Sequence, residues 1–140
     1  TGTMQGTNSN SRLYHKVDDY ANMVGAMPAM LNWFDNWGSG FNRHYANMAT
    51  SRDAIPMLTW MSSRDYPSAP VTLDDINNGV YDQYVRQYAR DIVNWGNPLY
   101  LRFNHEMNGD WYPWSPIKNG SDPTKYVNAW RRVHGLFAQE

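Results

Sequence analysis

The sequence predicts an α/β fold built on a parallel sheet. Three observations lead there. Short apolar segments alternate with longer stretches whose apolar residues recur at three-to-four spacing. The stretches between those short segments are long enough for helical crossovers, which joins strands in parallel rather than in hairpins. And the clearest strand, "LYLRFNHE" (99–106), is apolar on one face and polar on the other.

Residues 12–24 read as a helix, with Leu13, Val17, Tyr20, Ala21 and Val24 on one face and Gly25 as the stop. "PAMLNWF" (28–34) reads as a short strand. Residues 41–54 return to helical spacing through Phe41, Tyr45, Met48 and Ala49, and "IPMLTWM" (55–61) is a second strand. A loop follows in "SSRDYPSAPVTL", held open by Pro67 and Pro70. Residues 80–95 carry the stripe Tyr81, Tyr84, Tyr88, Ala89 and Ile92, and the helix stops at Gly96 before Asn97-Pro98. After the strand at 99–106 comes a long loop with an Asn108-Gly109 turn. Asp122 then caps a last helix with Pro123 at its first position and Tyr126, Ala129, Trp130, Val133 and Phe137 on its inner face.

Both a doubly wound sheet and a (β/α) barrel fit this alternation. In the strand at 99–106, Leu99, Leu101 and Phe103 face one way and should meet helices, while Tyr100, Arg102, Asn104 and Glu106 face the other. Strands of a doubly wound sheet are usually apolar on both faces. A polar face suits a barrel interior that opens into an active site at the C-terminal ends of the strands. A whole barrel takes about 250 residues, and this chain has 140. The expected fold is therefore a partial (β/α)8 TIM barrel, roughly the first four βα units, with residues 1–140 forming one partial domain. The opening "TGTMQGTNSN" lacks an initial Met and a signal peptide and reads as a processed or partial sequence.

Composition narrows the function. The formal net charge is −1 with no basic run, which argues against a nucleic-acid partner. No stretch approaches the roughly 20 apolar residues of a membrane span. Cysteine is absent, which removes disulfides and thiolate metal sites. Seven tryptophans and ten tyrosines are many for a core of this size. Their rings pair an apolar face with a polar edge, which suits ligands such as sugars.

Glu106 is one of two glutamates, the other being the last residue, Glu140. It ends a parallel strand, where barrel enzymes keep their chemistry, and Trp111, Tyr112 and Trp114 follow on a loop able to fold back over it. A carboxyl group shielded by rings has a raised pKa, as a general acid needs. The plain alternative is an exposed carboxylate or an ion pair with Arg102. His105 reaches the site only if the strand ends at Asn104; otherwise it is a hydrogen-bonded core residue. Trp33 and Trp37 suit the floor of a sugar subsite, with the core an equal reading for Trp33, and Trp95 and Trp130 read as packing residues. Asp35, Asp65 and Asp110 read as loop acids. His15, His44 and His134 have no paired ligand spacing, so neither a metal nor a cofactor is expected. Asn119-Gly120-Ser121 fits a glycosylation sequon.

The segment "LRFNHEMNGDWYPWS" resembles the acid/base region of glycoside hydrolase family 26, the family of endo-β-1,4-mannanases. "MLNWFDNW", "IPMLTW" and "DPTKYVNAWRRVH" are similar to the family as well, so the resemblance covers most of residues 25–137. It implies a (β/α)8 barrel, a retaining mechanism, and Glu106 as general acid/base at the end of the fourth barrel strand. It places His105 and Trp111 around the scissile bond and Trp60 in the cleft. Many members have a glutamate after that tryptophan, where this chain has Met61. A retaining glycosidase needs a second carboxylate about 5–5.5 Å from the first. The family's nucleophile belongs to a seventh strand, and no residue of this chain matches it. The expected protein is thus a secreted β-mannanase-like hydrolase of β-mannan or a related polysaccharide, inactive as this chain alone. An open barrel edge gives it a route to self-association. The alternatives are a β-1,3-1,4-glucanase or xylanase of the same family, or a non-catalytic half-barrel that holds glycan on Trp33, Trp60, Trp111 and Trp114.

Overall fold

The computed structural model describes residues 9–65 and 69–140, with side chains for 15–64 and 71–140. Leu13 and Asp65 therefore lie outside the described side chains. Helix α1 (Ser9–Val24) leads into strand β1 (Met30–Asn36), helix α2 (Arg43–Thr50) and strand β2 (Ile55–Met61). Two short strands follow, β3 (Ser63–Asp65) and β4 (Ala69–Pro70), then helices α3 (Leu73–Asn77) and α4 (Asp82–Trp95). Strand β5 (Tyr100–Phe103) and helix α5 (Pro123–Phe137) complete the order, with a single 3-10 turn over Pro116–Asn119 between them.

Strands β1, β2 and β5 form a parallel sheet in that order. Trp33, Leu58 and Leu101 lie side by side in register, and so do Asp35, Trp60 and Phe103. Side chains alternate along each strand, so these six share one face. The helices cover that face. Trp33 packs against Tyr45 of α2, and Trp60 against Tyr88 of α4 at 4.4 Å and Phe137 of α5. Trp37, just past β1, packs against Trp60, Tyr81 and Tyr84. The aromatic wealth of the sequence is therefore largely core.

The other face carries Asn32, Phe34, Met57, Thr59, Tyr100 and Arg102. No helix among the described residues covers it. Phe34 is 52% exposed and Tyr100 60%. Thr59 is buried there and donates to Asn32 Oδ1 at 2.9 Å. The expected division of the third parallel strand, with Leu101 and Phe103 toward helices and Tyr100 and Arg102 away from them, holds as far as Phe103.

Four local expectations differ. The segment after β2 is not all loop, because β3 and β4 pair antiparallel across an irregular register. Helix α3 forms where no helix was expected. Its cap is Thr72, whose hydroxyl accepts from Asp75 N–H at 3.0 Å. The stripe of α1 is only partly covered by the described residues: Tyr20 and Val24 are each 49% exposed while Val17 and Ala21 are partly buried, and the Asp18–Arg52 ion pair at 2.7 Å ties this helix to the turn after α2. Trp130 on α5 is also not core; it is 46% exposed and stacks on His134. Asp122 caps α5 as expected, accepting from Thr124 N–H at 2.8 Å. No helix among the described residues is long and apolar enough to cross a membrane.

Candidate active site at the end of β5

Strand β5 ends at Phe103, and the chain then leaves the sheet through two left-handed residues, Asn104 (φ 46°) and Glu106 (φ 53°). Asn104 still donates its backbone N–H to Trp60 O at 3.1 Å. Its side chain, fully buried, accepts from Ser62 N–H and donates to Ser62 Oγ, both at 2.8 Å. Asparagine tolerates the left-handed region better than most residues. Asn104 was expected to face the site, and instead its amide ties the end of β5 to the residue after β2.

That left-handed step turns His105 out of the strand's alternation. Its ring lies edge-on to Phe34 at 5.4 Å, beside the open sheet face, and packs against Tyr112 at 4.6 Å. His105 Nε2 and Tyr112 Oη are 2.8 Å apart. Burial holds the imidazole below its ordinary pKa, Arg102 adds to this, and the charge of Glu106 opposes it. His105 Nδ1 and Arg102 Nε are buried without a hydrogen-bond partner among the described residues.

Glu106 is exposed, not shielded. Of the rings that follow it, Trp111 reaches the carboxylate, and does so through its N–H: Trp111 Nε1 donates to Glu106 Oε2 at 2.9 Å. A left-handed glutamate costs about 1–2 kcal/mol relative to ordinary backbone, and such strain is typically retained where a side chain must be aimed. The surrounding loop braces it. Gly109 N–H closes a turn onto Glu106 O at 3.1 Å. Trp114 Nε1 donates to His105 O at 2.8 Å, and Tyr112 and Trp114 stack at 4.5 Å. Tyr126 of α5 donates toward Asn104 O at 2.9 Å and Phe103 O at 3.2 Å. Asn119 donates to Pro113 O and Ser115 O, each at 2.8 Å.

The structure therefore brings Glu106, His105 and Trp111 together and removes three tryptophans from the surface. Trp60 is fully buried on the helix-facing side of β2, so it cannot line a cleft. Trp33 lies on the same side, 7% exposed, with its Nε1 donating to Asp35. Trp114 is fully buried beneath the loop. The family resemblance placed Trp60 in the cleft, and Trp33 and Trp114 were expected at the substrate as exposed rings; the strands turn Trp60 and Trp33 toward the helices, and the loop buries Trp114. Asp35 is half-buried among the core rings, bonded by Trp33 and Tyr88, and Asp110 is exposed. Among the described residues no cluster of three or more His, Cys, Asp or Glu is placed to hold a metal. Sequence reading missed Ser62 and Tyr126. Tyr126 sat on the inner stripe of α5, but nothing in that spacing marks its hydroxyl as a brace. A concavity of about 530 Å³, lined by Thr50, Ile55, Pro98 and Tyr100 among others, lies at the opposite ends of β2 and β5 from Glu106. Barrel-type enzymes keep that end for stability rather than chemistry.

A glutamate and an indole thus meet at the C-terminal end of a parallel strand, the end where barrel enzymes keep their chemistry. The model of Glycosyl hydrolase family 26 matches residues 2–139, and the chain belongs to that family. It is also similar to Endoglucanase H of Acetivibrio thermocellus, at 30% identity over 125 residues, which is 86% of this chain and 13% of that protein.

Proposed function

We propose that this chain is the N-terminal half of a (β/α)8 catalytic domain that cleaves β-1,4-mannosidic bonds internally with retention of configuration, and that Glu106 is its general acid/base. One observation carries the reading: an exposed carboxylate, set on strained backbone at the C-terminal end of a parallel strand, is held by an indole N–H at 2.9 Å. With Oε2 engaged by Trp111, Oε1 is left to hold and pass the proton. As the glycosidic bond breaks, the protonated carboxyl gives that proton to the leaving oxygen. The resulting carboxylate then takes a proton from the water that attacks the anomeric carbon. The covalent step belongs to a second carboxylate from outside this chain. His105 beside Phe34 and Trp111 beside Glu106 would line the bound sugar.

A β-glucanase of the same family is the second reading. It is favoured by the similarity to a protein named Endoglucanase H. Non-catalytic binding on four tryptophans is weakened, since three of them are buried. The enzyme is proposed to be secreted, because such polysaccharides lie outside cells. The test is Glu106→Ala in a protein carrying this chain within a complete catalytic domain, assayed on β-mannan, mixed-linkage β-glucan and β-xylan. Wild-type cleavage of mannan alone supports the first reading, and cleavage of glucan the second. Full activity of the variant on every substrate would overturn the role of Glu106.

A further inference from the structure

Resting on the reading of Glu106 as acid/base, the question becomes what aims its carboxylate. Gly109 is buried although its neighbours Asn108 and Asp110 are exposed. A Cβ at Gly109 would lie 2.5 Å from Trp111 Cζ2 and 2.6 Å from Cε2 and Cη2, closer than real Cβ contacts come. Backbone conformation does not require this glycine, since its φ is not among the positive ones. Close approach of the ring does. The indole lies on the Gly109 backbone, and from that seat its Nε1 reaches Glu106 Oε2. Lys118 Nζ donates to Trp111 O at 3.1 Å and fixes the backbone beneath the ring. The ring itself is 53% exposed, so displacing it disturbs little core.

We propose that Gly109 is a positioning residue: its missing side chain seats Trp111, and the seated indole aims the Glu106 carboxylate. An exposed glutamate otherwise samples many rotamers, and misplacement of a reacting group by about 1 Å can cost on the order of 100-fold in rate.

The test reads the indole N–H signals of the seven tryptophans by NMR in the chain, with the Trp111 signal assigned by its loss in Trp111→Phe. In the wild type, that signal should follow a carboxyl titration that disappears in Glu106→Gln. In Gly109→Ala it should stop titrating and move toward the position of a solvated indole, while the other six signals stay in place. Within a complete catalytic domain, Gly109→Ala and Trp111→Phe should each lower kcat/KM about 10- to 100-fold and displace the pH limb set by Glu106. Continued titration of the Trp111 signal in Gly109→Ala overturns the proposal. So does failure of that variant to fold, because the glycine would then serve the fold and not the indole. If Glu106→Gln keeps full activity, the acid/base reading fails, while the NMR result still decides whether Gly109 seats Trp111.

Discussion

At the scale of single residues, the same side-chain type serves opposite purposes according to the face it lands on. Trp111 is on a loop, half-exposed, with its N–H on a carboxylate. Trp60 is five-sixths of the way along β2, fully buried between the sheet and two helices. The family resemblance set both near the substrate, and ring chemistry alone does not tell a core from a cleft. Parity along the strand does: Trp60 shares its face with Leu58, a fully buried core residue, and Trp33 lies beside Leu58 in register. Trp60→Ala is therefore expected to destabilise the chain by about 3–5 kcal/mol, the usual range for a large buried aromatic. Urea denaturation measures it, and a change within about 0.5 kcal/mol, as exposed sites give, would return Trp60 to the surface.

At the scale of elements, the sequence was most legible where periodicity was strong and least where the backbone turned. The spans of β2 and α4 and the cap of α5 were readable from apolar spacing, Gly96 and the Asp122-Pro123 pair. The turn out of β5 was not. Strand alternation extended through Asn104 and Glu106 puts both side chains on the open face, and two positive φ values break that extrapolation. Asparagine hints at one of them; glutamate gives no sign of the other.

Two titrating groups link elements. Asp35 joins β1 to α4, accepting from Trp33 Nε1 at 3.1 Å and Tyr88 Oη at 3.4 Å. Burial raises its pKa above the ordinary value, against those two hydrogen bonds. Its contribution to stability is complete below the ordinary carboxylate range and is lost as pH rises through its raised folded value. His105 has the reverse sign. Its folded pKa is lowered, chiefly by burial, so its contribution is complete above about 6.5 and is lost as pH falls through the folded value. Urea midpoints measured from acidic to neutral pH separate the two. Asp35→Asn should gain on the wild type as pH rises out of the carboxylate range, and His105→Gln should lose less than the wild type as pH falls below about 6.5. Curves parallel to the wild type in both variants would contradict these assignments.

At the scale of the whole molecule, the chain is a three-stranded parallel sheet with helices on one face and a half-open opposite face. The βα alternation was visible in the sequence; which face stays open was visible only in part, through Tyr100 and Arg102. The described chain spans 13% of the length of the relative it matches, and the proposed domain places that open face inward. The outer edges of β1 and β5 have no strand partner among the described residues, and unpaired edges favour association. Size-exclusion chromatography of the chain should show species larger than its 16.3 kDa mass, and a stable monomer at all concentrations would count against that expectation.

The role proposed for Glu106 is to move the proton. It is tested most directly in the complete catalytic domain, by comparing Glu106→Ala with the wild type on two substrates: the polysaccharide, whose leaving group needs protonation, and an aryl glycoside, whose activated leaving group does not. The expected result is a loss of about 10²–10⁴-fold in kcat/KM on the polysaccharide, the range of general acid catalysis, with a much smaller loss on the aryl glycoside. Equal losses on both substrates, or none on the polysaccharide, would contradict it.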